Sequence, residues 1–353
     1  MVNILGIETS CDETAAAVLD GEGRVCSSIV SSQIELHAPY GGIVPEIAAR
    51  QHLEAIEPVI DRALERAGRR LSDIGGIAVT CGPGLIGCLL VGTAFARSLA
   101  LARRLPVVGV NHLEGHVVSG WIDRPKLAYP ALALVVSGGH TGLWRVPEPG
   151  RYVLLARTRD DAAGEALDKV GKLLGLAYPG GPAIDRLGER GDPQAVRFGE
   201  VRIKDGPAFS FSGYKTAVRV YLEKTGLAPL TDPEQDPPQQ MLDLIASFRC
   251  AVVRELVRQT RRAIEEQRPA SLVLAGGVAA SQLLRREIST LSEDFALAPS
   301  IPELRYCGDN AAMIALAGRR RLLAGDDEID RLETAASLPL GGPEARRRSK
   351  RHR

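Results

Sequence analysis

The strongest constraint on the fold is an internal repeat, in which the same order of short apolar runs and polar turns occurs twice. Each copy has three strand-like runs separated by turns rich in glycine, serine and acidic residues. These runs cover residues 3–9, 14–19 and from Arg24 onward in the first copy, and residues 131–136, 141–146 and 152–156 in the second. Because neighbouring runs are joined by short turns, we expect each copy to form three antiparallel strands.

Each copy continues with a long amphipathic pattern, a buried-type strand, a glycine turn and a helix. These segments cover residues 45–67, 74–80, 82–84 and 85–104 in the first half, and 239–266, 271–275, 276–277 and 280–291 in the second. Strands followed by alternating helices and strands predict two mixed α/β domains facing a cleft. Glycine turns at strand ends are where such domains bind ligands.

The repeat also sets the expected domain boundaries. Residues 1–125 form the first half and residues 126–306 the second, with a surface loop at 226–238. A helix at about 307–324 is expected to pack back near the first half, and residues 325–353 to form a flexible basic terminus. We expect the apolar stretches 55–67 and 85–99 to be buried in the protein's own core, although they could instead bury a partner helix.

Composition excludes several classes of protein. A length of 353 residues suits two domains, and 45% hydrophobic with 25% charged residues excludes disordered and collagen-like chains. The longest apolar stretch, 85–105, is interrupted by Arg97, Arg103 and Arg104, so no membrane span is expected. The N-terminus lacks a basic leader, and six scattered cysteines form no C-x-x-C pair. These features predict a cytoplasmic protein with no membrane association.

Charge is distributed unevenly along the chain. Residues 346–353 contain six Lys or Arg and no acid, whereas the rest of the chain has 38 basic and 43 acidic residues. Such a tail is typically disordered, and it can also attract nucleic acid electrostatically.

His112 and His116 are the candidate metal ligands of the first half. They lie in N-H-L-E-G-H, directly after the apolar run 107–110. Their i, i+4 spacing places both imidazoles on one helical face, where they can chelate one metal. Glu114 lies two residues after His112, about 200° around a helix, whereas zinc peptidases place the glutamate one or three residues after the first histidine. A peptidase is therefore a poor fit, and two partly buried histidines capping a helix stay the alternative.

Asp309 is the best candidate for a third ligand. It lies in C-G-D-N (residues 307–310), just before an apolar helix at 311–323. Two histidines and one carboxylate with open positions favour Fe2+, with Zn2+ or Mn2+ as alternatives. Asp309 could instead cap the following helix, because a carboxylate suits a helix N-terminus.

Three glycine-rich turns supply backbone N–H groups that could bind an anion. They are 137–139, 178–182 and 276–278. Asp168 precedes the second turn on a predicted helix at 161–176. It could pair with Lys172 or face a ligand. Asp185, just after that turn, is similarly placed.

Seven motifs, in order along residues 3–323, resemble those of the bacterial TsaD proteins. They are G-I-E-T-S-C-D-E-T (6–14), N-H-L-E-G-H (111–116), V-S-G-G-H-T (136–141), D-D-A-A-G-E-A-L-D-K (160–169), Y-P-G-G-P (178–182), F-S-F-S-G-Y-K-T (209–216) and C-G-D-N (307–310). TsaD proteins are tRNA N6-adenosine threonylcarbamoyltransferases, which are acyltransferases. The chain is therefore identified as similar to this family over most of its length.

The resemblance implies a fold and an activity. The fold would be a duplicated actin-like (ribonuclease H-like) α/β architecture with a central cleft, shared with heat-shock ATPases and sugar kinases. The activity would be transfer of threonylcarbamoyl from threonylcarbamoyl-AMP to N6 of adenosine 37, forming t6A in tRNAs that read codons starting with A. A TsaB-like protein and a TsaE-like ATPase would be partners.

The resemblance also implies site residues. His112, His116 and Asp309 would hold the metal. The adenylate would be contacted by Val135, Val136, Ser137, Gly138, Gly139, Asp168, Gly181 and Asp185, and by residue 281. The family usually has asparagine at that last position, where this chain has Ser281, so we expect a weaker nucleotide contact there.

No catalytic side chain is assigned, because in the reaction that the resemblance implies the adenine amine would attack and AMP would leave. Asp12 or Glu13 could orient groups or accept a proton, and the sequence does not decide between these roles. The main alternative is an actin-fold ATPase or a small-molecule kinase, which would leave the histidine pair unexplained. A non-catalytic nucleotide-binding scaffold is a further alternative, and the presence of both histidines with Asp309 disfavours it.

Overall fold

Two five-stranded sheets with the same strand order organise the chain. The computed structural model describes residues 2–122, 124–199, 207–233 and 235–341. Contacts divide these residues into a first unit, within Met1–Lys126 and Arg305–Arg353, and a second unit, within Leu127–Leu304.

The sheet of the first unit has the order β3-β2-β1-β4-β5. Its strands are β1 (Asn3–Glu8), β2 (Glu13–Leu19), β3 (Val25–Ser32), β4 (Ile74–Gly82) and β5 (Val107–Asn111). The first three strands pair antiparallel, whereas β1–β4 and β4–β5 pair parallel. β5 is therefore an edge strand.

Helices cover both faces of this sheet. In chain order they are α1 (Ile34–His37), α2 (Pro45–Arg66), α3 (Ile86–Arg103) and α4 (His112–Ser119). Because side chains alternate across a strand, Leu5 and Ile7 pack in a cluster with residues of α2 and α3. Ile4 packs in a second cluster on the opposite face.

The sheet of the second unit repeats the plan, with the order β10-β9-β6-β7-β8. Its strands are β6 (Ala131–Val136), β7 (Thr141–Glu148), β8 (Arg151–Arg157), β9 (Ser271–Ala275) and β10 (Ala298–Ser300). Its helices are α5 (Ala163–Leu174), α6 (Gly180–Leu187), α7 (Ser212–Thr225), α8 (Gln239–Gln267) and α9 (Gln282–Asp294). The antiparallel and parallel pairings match those of the first sheet strand by strand.

The chain then returns to the first unit with α10 (Ala311–Leu323), which packs on β1, β2 and β4. Gly6 permits this approach, because a Cβ there would overlap the carbonyl oxygen of Ala311. α10 therefore fills the face of the sheet opposite α2 and α3.

The predicted duplicated α/β plan is confirmed, with local differences. α6 begins at Gly180, inside the segment predicted as a turn, because a Pro-Gly-Gly-Pro run has the composition of a turn but also suits the first residues of a helix. α7 and the three-residue β10 were not predicted.

Residues 326–341, here called the C-terminal segment, differ from the flexible terminus expected. Glu328 is only 8% exposed, its backbone N–H donates to the carbonyl of Val107, and its carboxylate accepts from the N–H of Gly109 at 2.9 Å. Further along, the N–H of Ala335 donates to the carbonyl of Cys81. The segment is ordered because the carboxylates of Asp327 and Glu328 accept hydrogen bonds from backbone N–H groups of β5. The expected basic tail at 346–353 lies outside the described residues.

α3 is the helix that, among the described residues, is long and apolar enough to cross a membrane by length and composition alone. One face of α3 lies in the core of the first unit, since Cys88, Leu89 and Ala96 are fully buried. The opposite face exposes Ile86 and Leu90, so the stretch 85–99 is buried on one side only.

Candidate functional site

His112 and His116 lie side by side at the end of β5. The strand ends at Asn111, whose side chain caps α4, and both histidines follow on the first two turns of that helix. The i, i+4 spacing brings the two ring centroids to 4.7 Å at an interplanar angle of 82°. Both rings are buried, with relative exposures of 5% and 0%.

Asp309 lies next to the two histidines, although it belongs to the late part of the sequence that returns to the first unit. Its Oδ1 lies 3.1 Å from Nε2 of His116 and 3.6 Å from Nε2 of His112. The alternative in which Asp309 caps the following helix is wrong, because the side chain of Asn310 caps α10 by accepting from the N–H of Met313. Asp309 therefore precedes the cap and faces the histidines.

These three side chains fit a divalent metal. One ligand atom from each lies within 4.8 Å of the other two. The Nδ1 of His112 is bonded to the carboxylate of Glu8 at 3.1 Å, which leaves its Nε2 directed at Asp309. Within the part of the chain that the structure describes, Nδ1 of His116 is buried without a hydrogen-bond partner, and Nε2 of the same ring lies 3.1 Å from Oδ1 of Asp309. Two imidazole nitrogens and one carboxylate oxygen are a donor set for Fe2+, Zn2+ or Mn2+.

Glu8 belongs to the candidate site and was not predicted from the sequence. It is fully buried at the end of β1 and accepts from the N–H of Ser10, the hydroxyl of Thr80 and the ring of His112. A carboxylate on the second nitrogen of a metal-binding histidine fixes its tautomer and orientation. The available signal was a glutamate that ends an otherwise apolar strand.

The charges around His112 favour a bound proton or a cation. Burial lowers the pKa of His112, but the carboxylates of Asp309 and Glu8 outweigh it and raise that pKa to about 9. Burial also opposes ionisation of Glu8, yet the adjacent His112 holds the pKa of Glu8 below its usual value. A metal must therefore displace a proton from this site, as is usual for histidine ligands.

Two partly buried groups lie nearby, namely Cys11 in the turn after β1 and Glu13 at the start of β2. Burial, together with the carboxylates of Asp309 and Asp12, raises the pKa of Glu13 to about 10. Burial and the neighbouring acids also raise the pKa of the Cys11 thiol well above its usual value. Since the thiolate is the reactive form of cysteine, Cys11 is not an activated nucleophile.

The candidate substrate residues lie in the second unit, where the ends of β6 and β9 meet helices α5, α6 and α9. The side chains of Val135 and Val136 are fully buried in the sheet. Ser137 closes a turn by accepting from the N–H of His140. Gly138 and Gly139 are exposed and face open space. This turn therefore presents backbone rather than side chains.

Glycine residues allow these turns to pack closely against one another, so that the turns form one cluster. Gly276 has φ +92°, and a Cβ there would overlap the carbonyl of Val136, so the turn after β9 lies against the end of β6. A Cβ on Gly164 would lie 2.6 Å from the carbonyl oxygen of Ser137, so α5 begins against the same turn.

Asp168 links α5 to α6. Its Oδ1 accepts from the backbone N–H groups of Gly180 at 2.8 Å and Gly181 at 3.2 Å. Asp168 therefore caps α6, a role not included in the sequence analysis. A carboxylate at a helix N-terminus is favoured by the helix dipole.

Asp185 is held on two sides. The hydroxyl of Ser281 donates to its Oδ1 at 2.6 Å, and the N–H of Gln282 donates to its Oδ2 at 3.1 Å. From α8, the buried guanidinium of Arg249 donates to the carbonyl of Asp185 at 2.6 Å and to the carboxylate of Glu189 at 2.9 Å. Ser281 also caps α9 by accepting from the N–H of Leu284. Arg249 was not singled out in the sequence, because a basic residue on a helix is usually solvated.

Comparisons with known proteins agree with this architecture. The family model described as "TsaD: tRNA N6-adenosine threonylcarbamoyltransferase" matches residues 24–316. Relatives named tRNA N6-adenosine threonylcarbamoyltransferase include one from Trichlorobacter lovleyi, 50% identical over 96% of this chain and 96% of the relative. Another, from Geobacter metallireducens, is 51% identical over 96% of this chain and 97% of the relative.

Solved structures with low sequence identity share the fold. HypF from T. kodakarensis has a TM-score of 0.61 at 15% identity, covering 93% of this chain and 49% of that chain. Component A of (R)-2-hydroxyglutaryl-CoA dehydratase from Acidaminococcus fermentans has a TM-score of 0.53 at 16% identity, covering 92% of this chain and all of that chain.

Proposed function

This chain belongs to the TsaD family of tRNA N6-adenosine threonylcarbamoyltransferases, and we propose that it takes the threonylcarbamoyl group from threonylcarbamoyl-AMP and attaches it to N6 of adenosine 37. The substrates are tRNAs that read codons starting with A, and the product is t6A. The full-length match to relatives at about 50% identity carries this conclusion. An actin-fold ATPase or small-molecule kinase has no observation in its favour beyond a shared fold.

We propose that His112, His116 and Asp309 hold one divalent metal, with Fe2+ as the preferred ion. Support comes from the mutual distances of their ligand atoms and from the orientation of His112 by Glu8. A bound metal would supply a Lewis acid for phosphate or carbamoyl oxygens. Glu8, for its part, would accept a hydrogen bond from the Nδ1–H of His112, so that Nε2 of the same ring keeps the lone pair that can bind a metal.

We propose that the cluster of turns in the second unit binds the adenylate. Gly138 and Gly139 have exposed backbone, which permits close approach of a phosphate. Ser137, Gly181 and Asp185 lie at the other edges of that cluster, and the buried Val135 and Val136 would contribute backbone contacts. Asp168 acts through α6, whose first N–H groups it orients. Stabilisation of developing negative charge by the backbone N–H groups of Gly138 and Gly139 would favour the transition state over the bound substrate.

We also propose a TsaB-like protein and a TsaE-like ATPase as partners. α2 and α3 touch where Ala49 meets Gly87, and their outer faces expose Leu53 (65%), Ile86 (48%) and Leu90 (52%). Exposed apolar side chains on neighbouring helices favour a protein–protein surface. We assign this face to the TsaB-like partner.

The proposal is tested by reconstitution. Purified protein with TsaB, TsaE, ATP, threonylcarbamoyl-AMP and an adenosine-37 tRNA should yield threonylcarbamoyladenosine, detected by mass spectrometry of the digested tRNA. Asp309→Ala should lose both bound metal and product, because it removes the carboxylate shared by the two histidines. Asp294→Ala is the matched control, since Asp294 is exposed on α9 and pairs with Arg261.

ATP hydrolysis alone would not decide between the functions, because TsaE and kinase-like proteins also hydrolyse ATP. A complete mixture that gives no modified nucleoside, while the protein phosphorylates a sugar or cleaves a glycoprotein, would overturn the transferase assignment. Full stoichiometric metal in Asp309→Ala would overturn the ligand assignment and leave the transferase assignment standing.

A further inference from the structure

The short helix α4 carries two of the three proposed metal ligands and depends for support on Asn111, the residue that precedes it. It has eight residues, and a helix of that length is marginal without tertiary contacts. At its N-terminus, Oδ1 of Asn111 accepts from the N–H groups of Leu113 at 2.9 Å and Glu114 at 3.3 Å. His112 lies directly after this cap, so its position follows that of Asn111.

The NH2 group of the Asn111 side chain donates a hydrogen bond to a part of the chain that is distant in sequence. Its Nδ2 donates to the carbonyl of Leu338 at 2.9 Å, across 227 residues of sequence. An asparagine amide has one accepting and one donating end, whereas a backbone carbonyl only accepts. The carbonyl of Leu338 therefore selects the orientation in which Oδ1 faces α4.

Leu338 is in turn fixed by the rest of the C-terminal segment. The N–H of Ala335 donates to the carbonyl of Cys81 at 2.9 Å, and the N–H of Gly84 donates to the carbonyl of Ala336 at 3.2 Å. The hydroxyl of Thr334 lies 2.9 Å from that of Thr93 on α3. The segment is thus bound to the end of β4 on one side of Leu338.

We propose that the C-terminal segment is a clamp for the metal centre, and that Asn111 is the positioning residue through which the carbonyl of Leu338 holds α4. This inference rests on the proposed metal site at His112, His116 and Asp309. It assigns to residues 335–338 a role in metal affinity, although none of them touches a ligand among the contacts described above.

Asn111→Asp separates this role from simple helix capping. Aspartate caps helices as well as asparagine does, and an added negative charge beside the site attracts a cation. Both effects predict equal or tighter metal binding. The clamp predicts the opposite, because one carboxylate oxygen would then face the carbonyl of Leu338 and repel it. We expect the affinity for Zn2+, measured by competition with a chelator on the full-length protein, to fall about tenfold, as for other residues that orient metal ligands.

Amide hydrogen exchange gives a readout that does not depend on metal. In Asn111→Asp, residues 335–341 should exchange faster than in the parent protein, because the bond to Leu338 is lost. Asn3→Asp is the matched control, since Nδ2 of Asn3 also donates to a loop carbonyl, that of Asp73, at 2.9 Å. That control should leave both Zn2+ affinity and exchange in 335–341 unchanged.

Two truncations test the segment directly. A chain ending at Gly341 should keep its Zn2+ affinity, whereas a chain ending at Thr334 should lose about as much affinity as Asn111→Asp. If the shorter chain fails to fold by circular dichroism, the exchange measurement on Asn111→Asp still decides the question.

Unchanged or tighter Zn2+ binding with unchanged exchange in Asn111→Asp would overturn the clamp. Absence of Zn2+ binding in the parent protein would instead overturn the metal site itself, so the two failures are distinguishable.

Discussion

At the scale of single residues, Ser281 makes two hydrogen bonds that an asparagine could also make. Its hydroxyl donates to Asp185 and accepts from the N–H of Leu284, so it both holds a candidate nucleotide ligand and caps α9. An asparagine at this position can make the same two bonds, with Nδ2 donating and Oδ1 accepting. The direct contact between Ser281 and the nucleotide stays a prediction, and we propose that Ser281 also positions Asp185.

Ser281→Asn should leave transferase activity intact and change adenylate affinity by at most about 1 kcal/mol, the net value of one hydrogen bond. Ser281→Ala should weaken adenylate binding, because the carboxylate of Asp185 loses one of the two donors, the Ser281 hydroxyl and the N–H of Gln282, that orient it. Calorimetric titration with AMP measures both. Ser292→Ala is the control, since its hydroxyl bonds to the carbonyl of Ile288 on the same helix. A severe loss of binding in Ser281→Asn would contradict this role.

The proposed metal ligands were predicted from spacing and resemblance, whereas Glu8, which is hydrogen-bonded to one of them, was not. The separation of four residues between His112 and His116 predicts that both side chains lie on one helical face. Glu8 accepts from His112 across 104 residues of sequence, and such a contact depends on how β1 lies against β4 and β5. For the same reason, spacing alone did not show that Asn310, not Asp309, caps α10.

At the level of elements, Asp160 anchors the segment that leads into α7. Its carboxylate accepts from the hydroxyls of Ser210 and Ser212 and from the N–H of Phe211. Partial burial raises the pKa of Asp160, but these hydrogen bonds outweigh it and hold that pKa below the usual value. This links the motif at 160–169 to the motif at 209–216.

The stability contributed by Asp160 should depend on pH. Because the folded-state pKa is lowered, the contribution is fully present above the pKa of the unfolded chain, near 3.9, and is lost as pH falls through the folded value. Asp160→Asn should therefore unfold at lower urea concentration than the parent protein at pH 7, and the difference should shrink by about pH 3.

Ser210→Ala with Ser212→Ala tests the cause of that effect. In this background, Asp160→Asn should cost less stability, because two of its donors are already gone. An equal cost in both backgrounds would show that Asp160 acts through other contacts.

Elements whose apolar residues follow a clear period, or that are bounded by strong turn signals, were well predicted. The six strands of the two three-stranded repeats appear where the apolar runs lie. α6 was missed because its first residues have the composition of a turn, and Asp168, twelve residues earlier, supplies the acceptor that starts the helix. The C-terminal segment was misjudged because its acidic residues bond to β5, a partner more than 200 residues earlier.

On the scale of the whole molecule, positive charge is concentrated at the C-terminal end of the sequence. Residues 346–353 contribute six positive charges to a chain that is otherwise acidic, with 38 basic and 43 acidic residues. Neutralising tRNA phosphates releases counterions, so affinity falls with salt in proportion to the contacts made.

Deleting residues 346–353 should reduce the slope of log affinity for tRNA against log salt concentration. Filter binding over a series of salt concentrations measures this slope. A deletion that leaves the slope unchanged would show that the tail does not touch the tRNA. A chain of the same length with the six basic residues replaced by serine should behave like the deletion, since charge and not length is the cause.

The contacts of β5 have a consequence for how copies of this protein behave toward one another. An uncovered outer strand offers N–H and carbonyl groups that can pair with a strand of another molecule and begin aggregation. Here Asp327 and Glu328 accept from the N–H groups of Val107 and Gly109. The N–H of Glu328 and the guanidinium of Arg321 donate to the carbonyls of the same two residues. Proteolytic loss of residues after Ala324 would uncover this edge, so a clipped chain should scatter light in a concentration-dependent way under conditions in which the intact chain stays clear.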